Sequence, residues 1–267
     1  QSDPTVTECV VQNCLGPYDG GAMWFQQSGA VITKNVIRNN TTPISGAGLF
    51  VRLGTGHGTL LIDGNTFYGN VGGNGPAISV MEGDNAVVAH NVAYNNTATP
   101  GSGRRGGIYI RGTSIQVRNN TSVGNTVGLT LLMCDGVDSR NNILTNNLEY
   151  GLQYLDDEYP QNVNMTADYN DVWSNGLGNY YLTSASAHDL SADPLFLAGY
   201  KLADGSPCID AGDPNPSYND PDLSRNDMGA IPRECCFGYR GNVNCDTEGL
   251  CDISDLSLLI EHLFISL

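Results

Sequence analysis

Five side chains in the first half of the sequence have the chemistry to hold an acidic sugar. Three carry aromatic rings, which offer flat apolar faces for a sugar ring, and two carry guanidinium groups, which can bond both oxygens of a uronate carboxylate. These candidates are Trp24, Phe50, Tyr109, Arg52 and Arg111. They can act together only if the fold places them on one surface. The alternative is that loops such as residues 96–107 fold over the aromatic rings.

Carboxylates near the same stretches are the candidates for catalysis or for a second cation site. Acidic side chains gathered at one edge can bind Ca²⁺ or raise one another's pKa for acid–base work, although Asp is also common in solvated turns. The catalytic candidates are Arg111, Asp135, Asp156 and Asp157. A lyase requires Arg111 and these acids to form one cleft. No motif here is specific enough to name a reaction, so the sequence does not decide whether the protein is an enzyme.

A six-residue pattern that starts and ends with Asn repeats every 22 to 30 residues and predicts a solenoid. The copies are NVIRNN (35–40), NTFYGN (65–70), NVAYNN (91–96), NTSVGN (120–125), NILTNN (142–147) and NDVWSN (170–175). The segment CVVQNC (9–14) fits the same frame with Cys at both Asn positions. We expect the recurring Asn side chains to bond the Asn and the backbone of the neighbouring coil.

Two further apolar stretches accompany each copy, so each coil is predicted to contain three short strands. Because side chains alternate along a strand, stacking of the coils predicts two outward columns. The first column is Trp24, Phe50, Ser79, Tyr109, Thr130 and Gln153. The second column is Gln26, Arg52, Met81, Arg111, Leu132 and Leu155.

Residues 5 to about 230 resemble the right-handed parallel β-helix repeat proteins, an architecture shared with pectin-degrading enzymes. The most specific part is DYNDVWSN…SADPLF…LADGSPCIDAGDP…DPDLSRNDMGA, within residues 168–230. The resemblance implies an all-β solenoid over residues 1–230, with a closing segment from about residue 193. We expect this segment to form a final strand pair that covers the open end of the solenoid.

After a linker at residues 231–240, residues 241–267 resemble one half of a dockerin type I repeat, an EF-hand-like calcium module. The resemblance assigns Ca²⁺ ligands to Asn242, Asn244, Asp246, Leu250, Asp252 and Asp255, followed by a short helix. Two extra residues lengthen the loop, and we predict that a disulfide between Cys245 and Cys251 restores its geometry. Only one repeat is present where dockerins have two, so this appendage is truncated. A cohesin-like scaffold or surface protein is the expected partner of such a module.

Charge and cysteine content limit the surroundings in which the protein works. The net charge of −16 argues against a nucleic-acid partner, since phosphates would be repelled. Residues 1–150 contain nine acids and eight bases, whereas residues 151–267 contain nineteen acids and four bases. Four of the eight cysteines lie in residues 235–251, which favours disulfides and an oxidising, extracellular location. We expect no membrane span, and the strand-like start at residue 5 indicates a removed leader or, as we favour, a fragment.

Together these features predict a secreted β-helix protein that binds a polysaccharide, with degradation of that polysaccharide as an open possibility. A non-catalytic cell-surface or adhesion protein and a calcium-dependent uronan lyase are the alternatives.

Overall fold

The computed structural model describes residues 3–27, 29–54, 58–103, 105–155 and 162–233, which form three seven-stranded sheets and one two-stranded sheet. Sheet 1 contains β3 (Met23–Gln26), β6 (Leu49–Arg52), β10 (Ile78–Asp84), β14 (Gly106–Thr113), β17 (Val127–Leu132), β20 (Tyr150–Leu155) and β23 (Gly178–Tyr181). Sheet 2 contains β1 (Thr5–Thr7), β4 (Val31–Thr33), β7 (Leu60–Asp63), β11 (Ala86–Ala89), β15 (Gln116–Arg118), β18 (Asp138–Arg140) and β21 (Thr166–Asp168). Sheet 3 contains β2 (Val10–Gln12), β5 (Val36–Arg38), β8 (Thr66–Tyr68), β12 (Val92–Tyr94), β16 (Thr121–Val123), β19 (Ile143–Thr145) and β22 (Asp171–Trp173). The small sheet pairs β9 (Val71–Gly72) with β13 (Thr97–Ala98), and two 3₁₀ turns span Ala198–Tyr200 and Pro216–Tyr218.

The chain visits sheet 1, sheet 2 and sheet 3 in turn, so each coil contributes one short strand to each sheet, as the repeat predicts. The pairings between neighbouring coils are parallel, and each keeps one register except that of β10 with β14, which shifts between Met81 and Gly83. In sheet 2, for example, the inward side chains of Ile32, Ile62, Val88 and Val117 stack in one fully buried file. Such files from the three sheets meet in one continuous apolar core, and each fully buried aliphatic side chain contributes about 1.5–3 kcal/mol.

Asparagine ladders hold the two corners that flank sheet 3. The first ladder is Asn35, Asn65, Asn91, Asn120, Asn142 and Asn170. The second ladder is Asn40, Asn70, Asn96, Asn125, Asn147 and Asn175. Each ladder residue follows a residue with positive φ, which turns the chain sharply. The predicted bonding of these asparagines between coils is therefore confirmed.

Asn91 shows how one rung works. Its Oδ1 accepts hydrogen bonds from the backbone N–H and from Nδ2 of Asn65, each at 3.0 Å. Its Nδ2 donates to the carbonyl of Ile62 at 2.9 Å and to Oδ1 of Asn120 at 3.0 Å. One buried side chain thus satisfies backbone groups that no water reaches, and it locks three successive coils in phase.

The ladders end in other side chains at both ends of the solenoid. In the first coil Cys9 and Cys14 occupy the Asn positions, and their backbone N–H groups donate to Oδ1 of the first Asn of each ladder. In the last coil the acceptors are Oδ1 of Asp189 for the first ladder and Oδ1 of Asn179 for the second. Tyr180 packs there against the end of the core.

The closing segment, residues 193–230, lies on the outer face of sheet 3. Its Leu202, Cys208 and Met228 form a small apolar cluster with the outward Ile143. The backbone N–H of Ala230 donates to Oγ1 of Thr121 at 2.9 Å. The expectation that this segment forms a strand pair over the end of the solenoid is therefore corrected, since its only described pairing is the antiparallel bridge between Phe196 and Leu202.

Two carboxylates are buried where the closing segment is seated. Asp171 on β22 accepts hydrogen bonds from the N–H of Ala192 at 3.1 Å and from Sγ of Cys208 at 3.4 Å, and burial raises its pKa to about 6. Burial also raises the pKa of Asp220 to about 7, although a hydrogen bond from the backbone N–H of Asp227 opposes this rise. Folding therefore makes both carboxyl groups easier to protonate than in the unfolded chain.

Truncation of a ladder side chain should cost much more stability than a change at the exposed turn beside it. Asn91→Ala removes the bonds to Asn65 and Ile62 inside the protein, so we expect the free energy of unfolding to fall by about 2–4 kcal/mol. Asn95→Gly is the matched control, because Asn95 is exposed and its φ of 53° suits glycine. Urea unfolding of both variants measures the difference. Equal losses would contradict the role assigned to the ladder.

The free energy of unfolding should decrease as the pH rises, because Asp171 is buried where the closing segment packs on sheet 3. Because the pKa of Asp171 is raised, its contribution is fully present below about pH 4 and is lost as the pH rises through about 6. We expect the Asp171 contribution to the free energy of unfolding to fall by about 1.4 kcal/mol between about pH 5 and pH 8. Urea unfolding across this range should show a smaller fall for Asp171→Asn. An unchanged pH dependence in that variant would contradict the assignment.

Candidate functional site

The outward face of sheet 1 presents the two predicted columns. In the first column each residue is the register partner of the next one along the sheet. The column runs Trp24, Phe50, Ser79, Tyr109, Thr130 and Gln153. In the second column the pairs run from Gln26 through Arg52 and Met81 to Arg111, and Leu132 pairs with Leu155. Register of the coils therefore brings one candidate residue per coil to the same face.

Most of the first column is covered by protein. The exposed fraction is 54% for Trp24, 3% for Phe50 and 0% for Tyr109. The turn before β6 lies against Phe50, so that a Cβ added to Gly46 would sit 2.7 Å from Cβ of Phe50. The turn before β10 lies in the same way against Tyr109 of the next coil. A Cβ added to Gly75 would sit 2.8 Å from Cβ of Tyr109.

The expectation that Phe50 and Tyr109 offer open ring faces to a sugar is thus corrected. These residues point away from the apolar core, as predicted, but turns between sheets 3 and 1 lie over them, from the same coil for Phe50 and from the coil before for Tyr109. Glycines at φ of 62° and 56° let the backbone pass this closely over the two side chains. Trp24 is the aromatic residue of this column that keeps an exposed ring, in edge-to-face contact with Phe50 at 6.4 Å between ring centroids.

Arg52 is already paired within the protein. Its Nε and Nη2 donate to the two carboxylate oxygens of Glu82 at 2.8 and 2.7 Å. The hydrogen bonds to Arg52 lower the pKa of Glu82, which therefore stays ionised. The expectation that Arg52 is open for a bidentate contact with a uronate is corrected, since Glu82 takes that position.

Arg111 has a different environment. It is half-buried beside Met81, and it makes no hydrogen bond or ion pair within the described part of the chain. Its charge still acts on Glu82, whose pKa it helps to lower. Among the residues described, no partner therefore occupies the hydrogen-bonding groups of Arg111, which faces out of sheet 1.

The described structure does not place Asp135 against Arg111. Asp135 is exposed in the turn after β17, where its Oδ1 accepts a hydrogen bond from Nδ2 of Asn164 at 2.9 Å. Asp156 and Asp157 lie outside the described residues. Among the residues described, no group of three or more His, Cys, Asp or Glu side chains is arranged to hold a metal ion.

The calcium-loop candidates also lie outside the described residues. They are Asn242, Asn244, Asp246, Leu250, Asp252 and Asp255, together with the predicted disulfide between Cys245 and Cys251. The four cysteines that are described, Cys9, Cys14, Cys134 and Cys208, are free thiols. The loop and its disulfide stay predictions.

Sequence reasoning missed an aromatic and cationic row on the outer face of sheet 3. Arg38, Tyr68 and Tyr94 stack there in successive coils, and the rings of Tyr68 and Tyr94 lie parallel with centroids 4.8 Å apart. The repeat carried the signal, because these residues occupy the same fourth position of NVIRNN, NTFYGN and NVAYNN.

Truncation of Tyr109 should lower the free energy of unfolding strongly, whereas truncation of Trp24 should change it little. Because Tyr109 is fully buried, Tyr109→Ala should lower the free energy of unfolding by about 3–5 kcal/mol. Trp24 is more than half exposed, so Trp24→Ala should cost about 1 kcal/mol or less. Urea unfolding of the two variants provides the measurement. A small loss for Tyr109→Ala would show that the turns do not cover this ring in solution.

Comparison with known proteins agrees with this architecture. The sequence model of one protein family, described as "Right handed beta helix region", matches residues 1–191. No curated protein and no solved structure matches the chain. Within the described residues, no helix has the length and apolar character needed to cross a bilayer. The family match covers well over half of the chain, and the three-sheet solenoid fits it: the protein belongs to the right-handed β-helix family.

Proposed function

We propose that this protein binds an acidic polysaccharide outside the cell through the outward face of sheet 1. The observation that carries the proposal is Arg111, a half-buried guanidinium with no hydrogen bond or ion pair in the described part of the chain. A guanidinium forms its strongest contacts with planar oxyanions, which it can bond through two parallel N–H groups. A uronate carboxylate supplies that geometry.

The arrangement of sheet 1 favours an elongated ligand that crosses the strands. Neighbouring strands lie about 4.8 Å apart, so the three steps from β3 to β14 span about 14 Å. Trp24 lies at one end of this stretch and Arg111 at the other. An exposed indole ring can support the apolar face of one sugar while Arg111 bonds the carboxylate of another.

Binding is better supported than cleavage. A lyase needs a base beside a group that neutralises the uronate, and the described structure leaves Asp135 bonded to Asn164, with no contact to Arg111. Asp156 and Asp157 are candidates for catalysis from the sequence alone. Cleavage is therefore the second candidate, and the binding experiment below also detects it.

The remaining parts of the proposal come from the sequence of the last residues. By its resemblance to a dockerin repeat, the segment 241–267 would hold Ca²⁺ through Asn242, Asn244, Asp246, Leu250, Asp252 and Asp255. It would then tether the solenoid to a cohesin-like scaffold or surface protein. The concentration of cysteines in the same segment supports secretion.

The test is retention on a panel of immobilised polysaccharides with and without uronate. We expect retention on uronate polymers, and about tenfold weaker binding for Arg111→Gln, because one charge-assisted contact contributes roughly 1.5–3 kcal/mol. Arg111→Lys should recover part of the loss, since it keeps the charge but not the paired geometry. Affinity electrophoresis measures each variant.

Lys34→Gln is the control for loss of one positive charge, because Lys34 is exposed at the corner between sheets 2 and 3. It should bind like the unmodified chain. Ultraviolet absorbance of the same mixtures reveals unsaturated products of a lyase, and new reducing ends reveal a hydrolase. Equal retention of the Arg111→Gln variant, or retention on neutral polymers alone, would refute the proposed site.

A further inference from the structure

A second concave site lies on the outer face of sheet 3, on a different side of the solenoid from Arg111. It is a groove of about 390 Å³, a size suited to a small organic ligand. Its floor consists of Thr66 and Val92, and its walls are mostly aromatic and aliphatic. The wall residues are Tyr94, Phe196, Leu197, Gly199, Tyr200 and Ile231.

The groove exists because the closing segment covers only part of sheet 3. Over the later coils this segment packs tightly on the sheet, and Ile143 is fully buried beneath it. Phe196 and Tyr200 end the covered part, with their rings edge-to-face at 5.4 Å between centroids. Beyond them the outward residues of the earlier coils, such as Val36 and Thr66, are partly exposed.

A cation, Arg38, lies one coil away from Thr66 of the groove floor, on the neighbouring strand of sheet 3. Arg38 lies on β5, two strands from the strand that carries Tyr94, a distance of about 10 Å along the solenoid. Its Nη1 donates to the hydroxyl of Tyr68 at 2.6 Å and its Nε to Oε1 of Gln12 at 2.7 Å. No carboxylate of the described chain lies within ion-pair distance of Arg38, so Nη2 stays available.

Ring geometry narrows the chemistry of the ligand. Tyr68 and Tyr94 stack on one another at 4.8 Å with an angle of 10° between their planes, and Tyr200 packs 5.1 Å from Tyr94. One face of Tyr94 is thus taken by Tyr68, and Tyr200 packs close to the same ring. This arrangement does not favour stacking of a sugar ring. It suits an apolar chain or a single aromatic ring inserted lengthwise.

We propose that this groove binds a small amphipathic carboxylate. The apolar body would lie between Val92 and the wall formed by Leu197 and Tyr200, and the carboxylate would reach Arg38 over Thr66. Charge complementarity selects the anionic head group, because Arg38 lies one strand from Thr66 and pairs with no carboxylate among the residues described. The proposal is independent of polysaccharide binding at sheet 1.

Octanoate and 3-phenylpropionate are the probes, representing an alkyl and an aryl body, and 1-octanol is the uncharged comparison. Saturation-transfer NMR and calorimetry on the full chain should show binding of both acids, about tenfold tighter for octanoate than for 1-octanol. Arg38→Gln should remove this preference for the charged head group. Leu197→Glu should weaken binding of every probe about tenfold or more, since it places a charge on the apolar wall.

Two controls match these variants. Leu148→Glu introduces the same charge at a leucine that is similarly exposed but lies outside the groove, and Lys34→Gln removes a positive charge elsewhere. Both should bind octanoate normally. Absence of binding, or binding that neither Arg38→Gln nor Leu197→Glu affects, would overturn the proposal.

If another part of the protein or a second copy of the chain occupied the groove, the same variants would give different results. A fall in sedimentation coefficient for Leu197→Glu would show that a second copy of the chain covers the groove. Faster proteolysis after Arg233 in that variant would show that residues 234–267 cover it. Either result would overturn the assignment to a carboxylate. Polysaccharide retention by Leu197→Glu, measured alongside, should be normal, so failure of this proposal and failure of the sheet 1 proposal are distinguishable.

Discussion

The hydrogen bonds between successive Asn side chains are the constraint on which the rest of this structure depends. Many of the strands are only three residues long, which is too short to hold a register through backbone pairing alone. A slip of one residue would exchange the inward Ile108 for the outward Tyr109 and bring a phenol into the apolar core. Each Asn both accepts from one coil and donates to others, so such a slip would break buried bonds at two corners at once.

Because the coils are held in phase, each surface of the solenoid is a set of columns with one residue from each coil. The segments between sheets 3 and 1 then decide which columns reach solvent. In the first four coils these segments are long enough to fold back over sheet 1, as at residues 43–47 and 72–76. The ion pair between Arg105 and Glu149, at 2.5 Å, holds another such segment against a later coil. The Asn ladders thus determine where each side chain lies on the solenoid, while the loops and the closing segment determine which of these side chains are exposed to solvent.

This division explains how much could be predicted from the sequence. The repeat predicted three strands in each coil and the two columns on sheet 1, because register follows from local patterns that recur. The burial of Phe50 and Tyr109 could not be predicted in the same way, since it depends on where non-repeating turns fold. The pairing of Arg52 with Glu82 and the seat of the closing segment on sheet 3 also arise between parts that no repeat relates. The row of Arg38, Tyr68 and Tyr94 was visible in the repeat, but its significance required the groove beside it.

The distribution of charge reconciles an acidic chain with the two sites proposed for anions. The net charge of −16 arises almost entirely after residue 150, whereas the coils that carry Arg38 and Arg111 are close to neutral. At physiological ionic strength the field of distant surface carboxylates is screened within about 8 Å. A carboxylate that approaches Arg111 or Arg38 is therefore governed by that guanidinium and its immediate neighbours. Glu82 lies near Arg111 but is neutralised by Arg52, so the internal ion pair leaves the attraction of Arg111 for an anion largely uncancelled.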